Sequence, residues 1–83
     1  MKLIYFFTTK DKGIGYIISK NNKAMQQLEE FDCKFIEKIP TKTDDKEKNK
    51  KIAFNYISDL IESGEVIVTE ETKEKLAYEL DNL

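Results

Sequence analysis

Apolar and polar positions change period several times along this chain of 83 residues, and each change predicts an element. Residues 2–9, KLIYFFTT, are rich in β-branched and aromatic side chains, the composition of a strand. Both faces of that strand are apolar, with Leu3, Tyr5 and Phe7 on one and Ile4 and Phe6 on the other. Such a strand is buried on both sides, or its second face meets a partner. Residues 15–19, GYIIS, read as its neighbour, and the polar KDKG between them holds two turn formers, Asp11 and Gly13. The pattern predicts a β-hairpin. Gly13 is expected to supply a positive φ at the turn, and Gly15 to relieve crowding or mark a bulge in the second strand.

From 19 to 31 the period becomes helical, with Ala24, Met25, Leu28 and Phe31 on one face. Ser19, Asn21 or Asn22 can cap the start, and Asp32 lies near the stop. Residues 33–39, CKFIEKI, return to strand composition, and Pro40 is expected to end that strand. The densely charged TKTDDKEKNKK, 41–51, reads as a loop followed by the exposed first turns of a helix capped by Thr43, with Asp44 and Asp45 at the positive end of its dipole. Ile52, Ala53, Tyr56, Ile57, Leu60 and Ile61 then form a stripe at helical spacing, and Ser63 and Gly64 supply its stop. EVIVT, 65–69, reads as a short strand. Thr69 can cap a final helix, 70–82, whose apolar side is Leu76, Leu80 and Leu83 and which either packs on the core or projects toward a partner.

The predicted order is β-β-α-β-α-β-α over 1–83. This is a single small α+β domain, a partly antiparallel sheet packed against helices that lie mostly on one face. No repeat, flexible linker or low-complexity segment interrupts it.

Composition narrows the function classes. The chain has no histidine, so the commonest general base and metal ligand is missing. All fourteen basic residues are lysine, which removes the arginine forks preferred for bidentate recognition of phosphate and guanine. Cys33 is the sole cysteine, so no internal disulfide or cysteine zinc cluster can form, which fits a reducing cytosol. The apolar N-terminal run is too short for a signal-peptide core or a membrane span, and a cytoplasmic protein without membrane contact is expected. Charge is uneven. Residues 1–51 carry twelve lysines against eight acids, and residues 52–83 carry two against eight. That asymmetry can orient a partner.

The candidate chemistry is thin. Gly13-Ile14-Gly15 lacks the third glycine and the following helix of a phosphate loop, so the hairpin accounts for it better than a nucleotide. Asp44, Asp45 and Glu47 are interleaved with lysines and lack the order of a calcium loop, and no metal or other cofactor is expected. Cys33 has no histidine to activate it and reads as a small buried residue. With no matched acid–base set, a non-catalytic protein is expected. Lys46, Lys48, Lys50 and Lys51, beside an aromatic-rich sheet, are a possible contact for single-stranded nucleic acid. Ile4, Phe6 and Phe54 are the apolar residues least accounted for by one core, and with Lys10 and Lys12 at the hairpin tip they form the candidate partner-binding set.

A short, lysine-rich, arginine-free α+β chain resembles in style the accessory proteins of phages and mobile elements in AT-rich bacteria, with no specific motif behind the resemblance. It implies a protein-binding module that inhibits or adapts a host protein, such as a defence-system component, by steric occlusion. The alternative is a single-stranded nucleic-acid binder using the 46–51 lysines, and a third reading is a small-molecule binder or enzyme. The expected partner is a host protein or a second copy of the chain.

Overall fold

A computed structural model describes residues 2–20 and 23–82. The strands are β1 (Lys2–Thr8), β2 (Ile14–Ser19) and β3 (Lys34–Thr41), and the helices are α1 (Lys23–Glu30), α2 (Lys46–Ser63) and α3 (Glu70–Asp81). The sheet order is β2-β1-β3, and β1 runs antiparallel to both neighbours. The chain is thus a small α+β domain with a fully antiparallel sheet. Its order differs from the predicted one in a single element, because residues 65–69 connect α2 to α3 without joining the sheet.

The two-faced apolar pattern of β1 follows from its central place. Ile4, Tyr5 and Phe6 are all completely buried. Alternation puts Ile4 and Phe6 on one face, where they form the core with Ala53 and Ile57 of α2, and Ile14, Tyr16 and Ile18 of β2 pack against them. The Phe6 and Tyr56 rings meet there, with centroids 4.4 Å apart. Tyr5 points the other way. Helix α1 touches both outer strands and therefore crosses the central one on that second face, where its Ala24 and Leu28 are buried. Helices lie on both faces, with α2 and α3 on one and α1 on the other.

Several local expectations are corrected. Pro40 does not end β3, which continues to Thr41. Helix α2 starts at Lys46 with Asp45 rather than Thr43 as its cap, and the Asp45 carboxylate accepts from the N–H groups of Glu47 (3.0 Å) and Lys48 (3.4 Å). Thr43 instead caps the turn before it, accepting from the N–H of Asp45 at 3.1 Å. The buried stripe of α2 is Asn49, Ala53, Ile57 and Leu60, while Ile52 is exposed. Asn49 belongs there because its amide donates to the Thr43 carbonyl at 3.0 Å and its Oδ1 accepts from the buried Thr41 hydroxyl, which ties the end of β3 to α2. Phe31 lies beyond the end of α1 and is 74% exposed rather than on the helix's inner face.

The hairpin turn also departs from expectation. Lys12, with φ of 59°, takes the left-handed position, and Gly13 does not have a positive φ. Gly13 is needed for space, since a Cβ there would stand 2.9 Å from Thr9 Oγ1, which accepts from the Gly13 N–H. The irregularity in the sheet lies between β1 and β3. Phe6 pairs with Glu37 and Phe7 with Phe35, which leaves Ile36 as the extra residue of a bulge. Asn21, Asn22 and Leu83 fall outside the described residues, and Ser19 is the last residue of β2.

Candidate partner-binding edge

A sheet ordered β2-β1-β3 has two edges, and they are built differently. The hydrogen bonds of the hairpin show which groups face outward. The Thr9 N–H donates to the Gly13 carbonyl at 3.0 Å, and the Lys12 N–H donates to the Thr9 carbonyl at 3.2 Å. Bonded and non-bonded pairs alternate along an antiparallel ladder. Gly15 and Ile17 therefore bond to β1, while Ile14, Tyr16 and Ile18 direct their backbone N–H and C=O groups away from it. The same alternation on the other side of β1 turns Lys38 and Pro40 of β3 outward.

The β3 edge is guarded in the ways that prevent another strand from adding. It carries Lys34, Glu37 and Lys38, a bulge at Ile36, and Pro40 where an outward N–H would otherwise be offered. That position explains why the strand tolerates proline, which forfeits no bond to β1. β2 has none of these devices within its own six residues, although the connector meets its hairpin end, where the Thr69 N–H donates to the Lys12 carbonyl. Those six residues, IGYIIS, contain no charge and no proline, and each is half-buried. Among the described residues no strand pairs with it.

Beside this bare edge runs an open groove of about 570 Å³ between β2, α2 and α3. Tyr16, Phe54, Ile57 and Leu76 give it an apolar lining, and Lys50, Lys75 and Glu79 stand among the lining residues. The Phe54 ring meets Tyr16 edge-on, with centroids 5.6 Å apart and planes at 87°. The Lys50 ammonium lies 5.6 Å from the centre of the Phe54 ring and 3.6 Å from a Glu79 carboxylate oxygen. That ion pair helps hold α3, which has no fully buried residue and packs on the core through Leu76. Helix α3 is capped by Thr69, whose hydroxyl accepts from the Thr72 N–H at 3.2 Å. The Thr69 N–H itself donates to the Lys12 carbonyl at 3.2 Å, which fastens the connector to the hairpin tip.

The candidate residues separate into groups. Ile4 and Phe6 lie in the core and have no surface to offer a partner, because helices cover both faces of β1. Phe54 is half-buried and lines the groove. Lys10 and Lys12 are exposed at the tip, where Lys10 pairs with Asp32 at 3.0 Å. The lysines at 46–51 do not form one face. At about 100° per residue, Lys46 and Lys50 fall on one side of α2 and Lys48 and Lys51 on others. Cys33 is half-buried and follows the turn that ends α1. Asp44 pairs with Lys2 at 3.6 Å while Asp45 caps α2, and no group of three or more acids, cysteines or histidines among the described residues is placed to hold a metal ion. No helix of the described residues is long and apolar enough to cross a membrane.

Sequence reasoning missed the groove because it is assembled from β2, α2 and α3, whose adjacency is not written in local periodicity. The one available signal was the lack of charge in IGYIIS, next to strands and helices that are heavily charged. A second apolar recess joins Phe35 to the exposed Ile67 beside Lys12 and Lys34. Against known proteins, no family model matches the chain, and neither a curated protein nor a solved structure does.

Proposed function

We propose that this chain is a non-catalytic protein-binding module that captures a partner by adding an extended segment to the edge of β2. The carrying observation is the contrast between the two edges, β3 guarded by charge, bulge and proline and β2 left bare. Strand addition draws its affinity from main-chain hydrogen bonds and its selectivity from pockets for alternate side chains. The outward groups of Ile14, Tyr16 and Ile18 supply the first, and the groove beside Tyr16 and Phe54 supplies the second. A partner held this way is inhibited or adapted by steric occlusion. A host protein is the partner class that the style of composition suggests, and an accessory role in a phage or mobile element is the matching context.

The test uses two substitutions at one site. Ile14→Pro removes an outward N–H without touching the ladder to β1, and Ile14→Ala removes the same side chain while keeping that N–H. In a pull-down from host lysate, the unaltered chain and Ile14→Ala are expected to recover the same stoichiometric protein, and Ile14→Pro to lose it. Equal recovery by Ile14→Pro would sink the proposal.

A further inference from the structure

Given an edge that accepts a strand, the charges around it restrict what that strand can be. The six residues of β2 carry no charge, yet a lysine stands just beyond each end, Lys12 at the hairpin tip and Lys20 after Ser19. Both are exposed, and neither is in an ion pair among the described residues. Lys10 is held by Asp32, and Lys50 by Glu79, whereas the two lysines that bracket the edge are left to face a partner's charge. At the hairpin end Lys10, Lys12 and Lys34 are matched in number by Asp11, Asp32 and Glu65, and of these acids Asp32 is already paired with Lys10.

A second copy of the chain is a poor occupant on this pattern. Two β2 strands paired antiparallel about a two-fold must match even positions with even positions to keep their core faces aligned. Pairing centred on Tyr16 then sets Lys12 of one copy opposite Lys20 of the other, like charge against like at both ends.

We infer that the β2 edge takes an extended segment of another protein, apolar at alternate positions over about six residues and carrying an acidic residue at each end. The two lysines lie eight positions apart in the chain, which at about 3.3 Å per residue in extended backbone is a separation of about 26 Å. The inference rests on strand addition at β2, and the experiment separates failure of the charge rule from failure of that reading.

The experiment titrates isotope-labelled protein with three peptides that share the seven-residue core Val-Thr-Val-Thr-Val-Thr-Val, so that the flanking residues stand eight positions apart as Lys12 and Lys20 do. One is flanked by glutamates, one by serines and one by lysines. Amide exchange and chemical shifts of Ile14, Tyr16 and Ile18 locate binding, and sedimentation reports the oligomeric state. The glutamate-flanked peptide is expected to protect those three amides and to bind about tenfold tighter than the lysine-flanked one at low salt, the scale of two exposed ion pairs. The preference is expected to shrink as salt rises. The double variant Lys12→Glu, Lys20→Glu, its fold checked by circular dichroism, is expected to reverse the order. Equal affinity for all three peptides at those amides overturns the charge rule and leaves strand addition standing. Protection of the same amides by a concentration-dependent dimer, without peptide, overturns the choice of occupant. No protection by any peptide overturns both.

Discussion

Phe7 lies across Gly15, its cross-strand partner, so closely that a Cβ on Gly15 would stand 2.9 Å from Phe7 Cζ. The ring covers the space that a side chain would fill, and so shields the backbone of a strand weakened by glycine. Both residues line the groove beside the bare edge. Gly15→Ala is therefore expected to destabilise the fold by about 1 kcal/mol, because the ring must move although alanine suits a strand better. The same change in a Phe7→Ala background is expected to cost nothing or to stabilise. Urea denaturation of the four proteins of the cycle checks the coupling, and additive effects would show that the ring does not meet that Cβ.

Asp32 ends α1 in an unfavourable way that leaves room for improvement. Its φ is 55°, and the Cys33 N–H donates to the Leu28 carbonyl at 2.8 Å while the Asp32 N–H donates to that of Glu29 at 3.2 Å. This is the bond pattern of a C-terminal cap that favours glycine at the left-handed position. A carboxylate there also opposes the negative end of the helix dipole. Its ion pair with Lys10 is exposed and offsets little. Asp32→Gly is expected to raise stability by about 0.5–1 kcal/mol, seen as a higher urea midpoint with unchanged slope.

Asn49 holds the junction between β3 and α2. Replacing it with alanine removes the Nδ2 donor to the Thr43 carbonyl and the Oδ1 acceptor of the Thr41 hydroxyl, which leaves the two with the weaker bond between them at 3.3 Å. Thr41 is nearly as buried as Asn49, so the loss falls on groups that water reaches poorly. Asn49→Ala is expected to cost about 2–3 kcal/mol in thermal or chemical unfolding.

Burial of the Tyr56 hydroxyl, with Glu37 and then Glu65 adding repulsion, raises its pKa above the ordinary value of 10.0. The unfolded chain therefore loses this proton first as pH rises. The stability linked to Tyr56 is complete below about pH 10 and declines as pH rises from there through the higher folded-state value. Tyr56→Phe is expected to remove that part of the alkaline decline and to leave stability at neutral pH little changed. Unfolding curves for the two proteins from pH 8 to above about 10 are the check.

Ile67 is 78% exposed in the connector between α2 and α3. Ile67→Lys is expected to leave stability within about 0.5 kcal/mol, as for surface sites without special contacts, and to raise the concentration at which the protein stays monodisperse.

The sequence alone determined the elements whose side chains alternate or recur with a clear period. These are the hairpin strands around KDKG, α1, the third strand, and α2 from Ile52 onward. It also supplied the apolar residues of a core, but not which of them lie inside, since Phe31, Ile52 and Tyr78 are exposed while Asn49 is buried. It misjudged EVIVT, which has the residues of a strand but finds no partner in the sheet. Propensity for extended structure becomes a strand only where the segment runs alongside an edge, and this one meets the hairpin end of β2 through Thr69 and then turns into α3. It also left Ile4 and Phe6 open between the core and a partner-binding surface, because one strand's pattern cannot show that helices will cover both its faces.

The tertiary structure decided which strand lies in the middle, and with that which two strands are edges. Once β1 is central, Pro40 falls where an N–H is not needed and IGYIIS falls where backbone groups are left open. Neither fact exists within a segment of sequence, since strand order arises from contacts between residues far apart in the chain. The candidate function rests on that order, and on α3 coming to lie across a groove from β2.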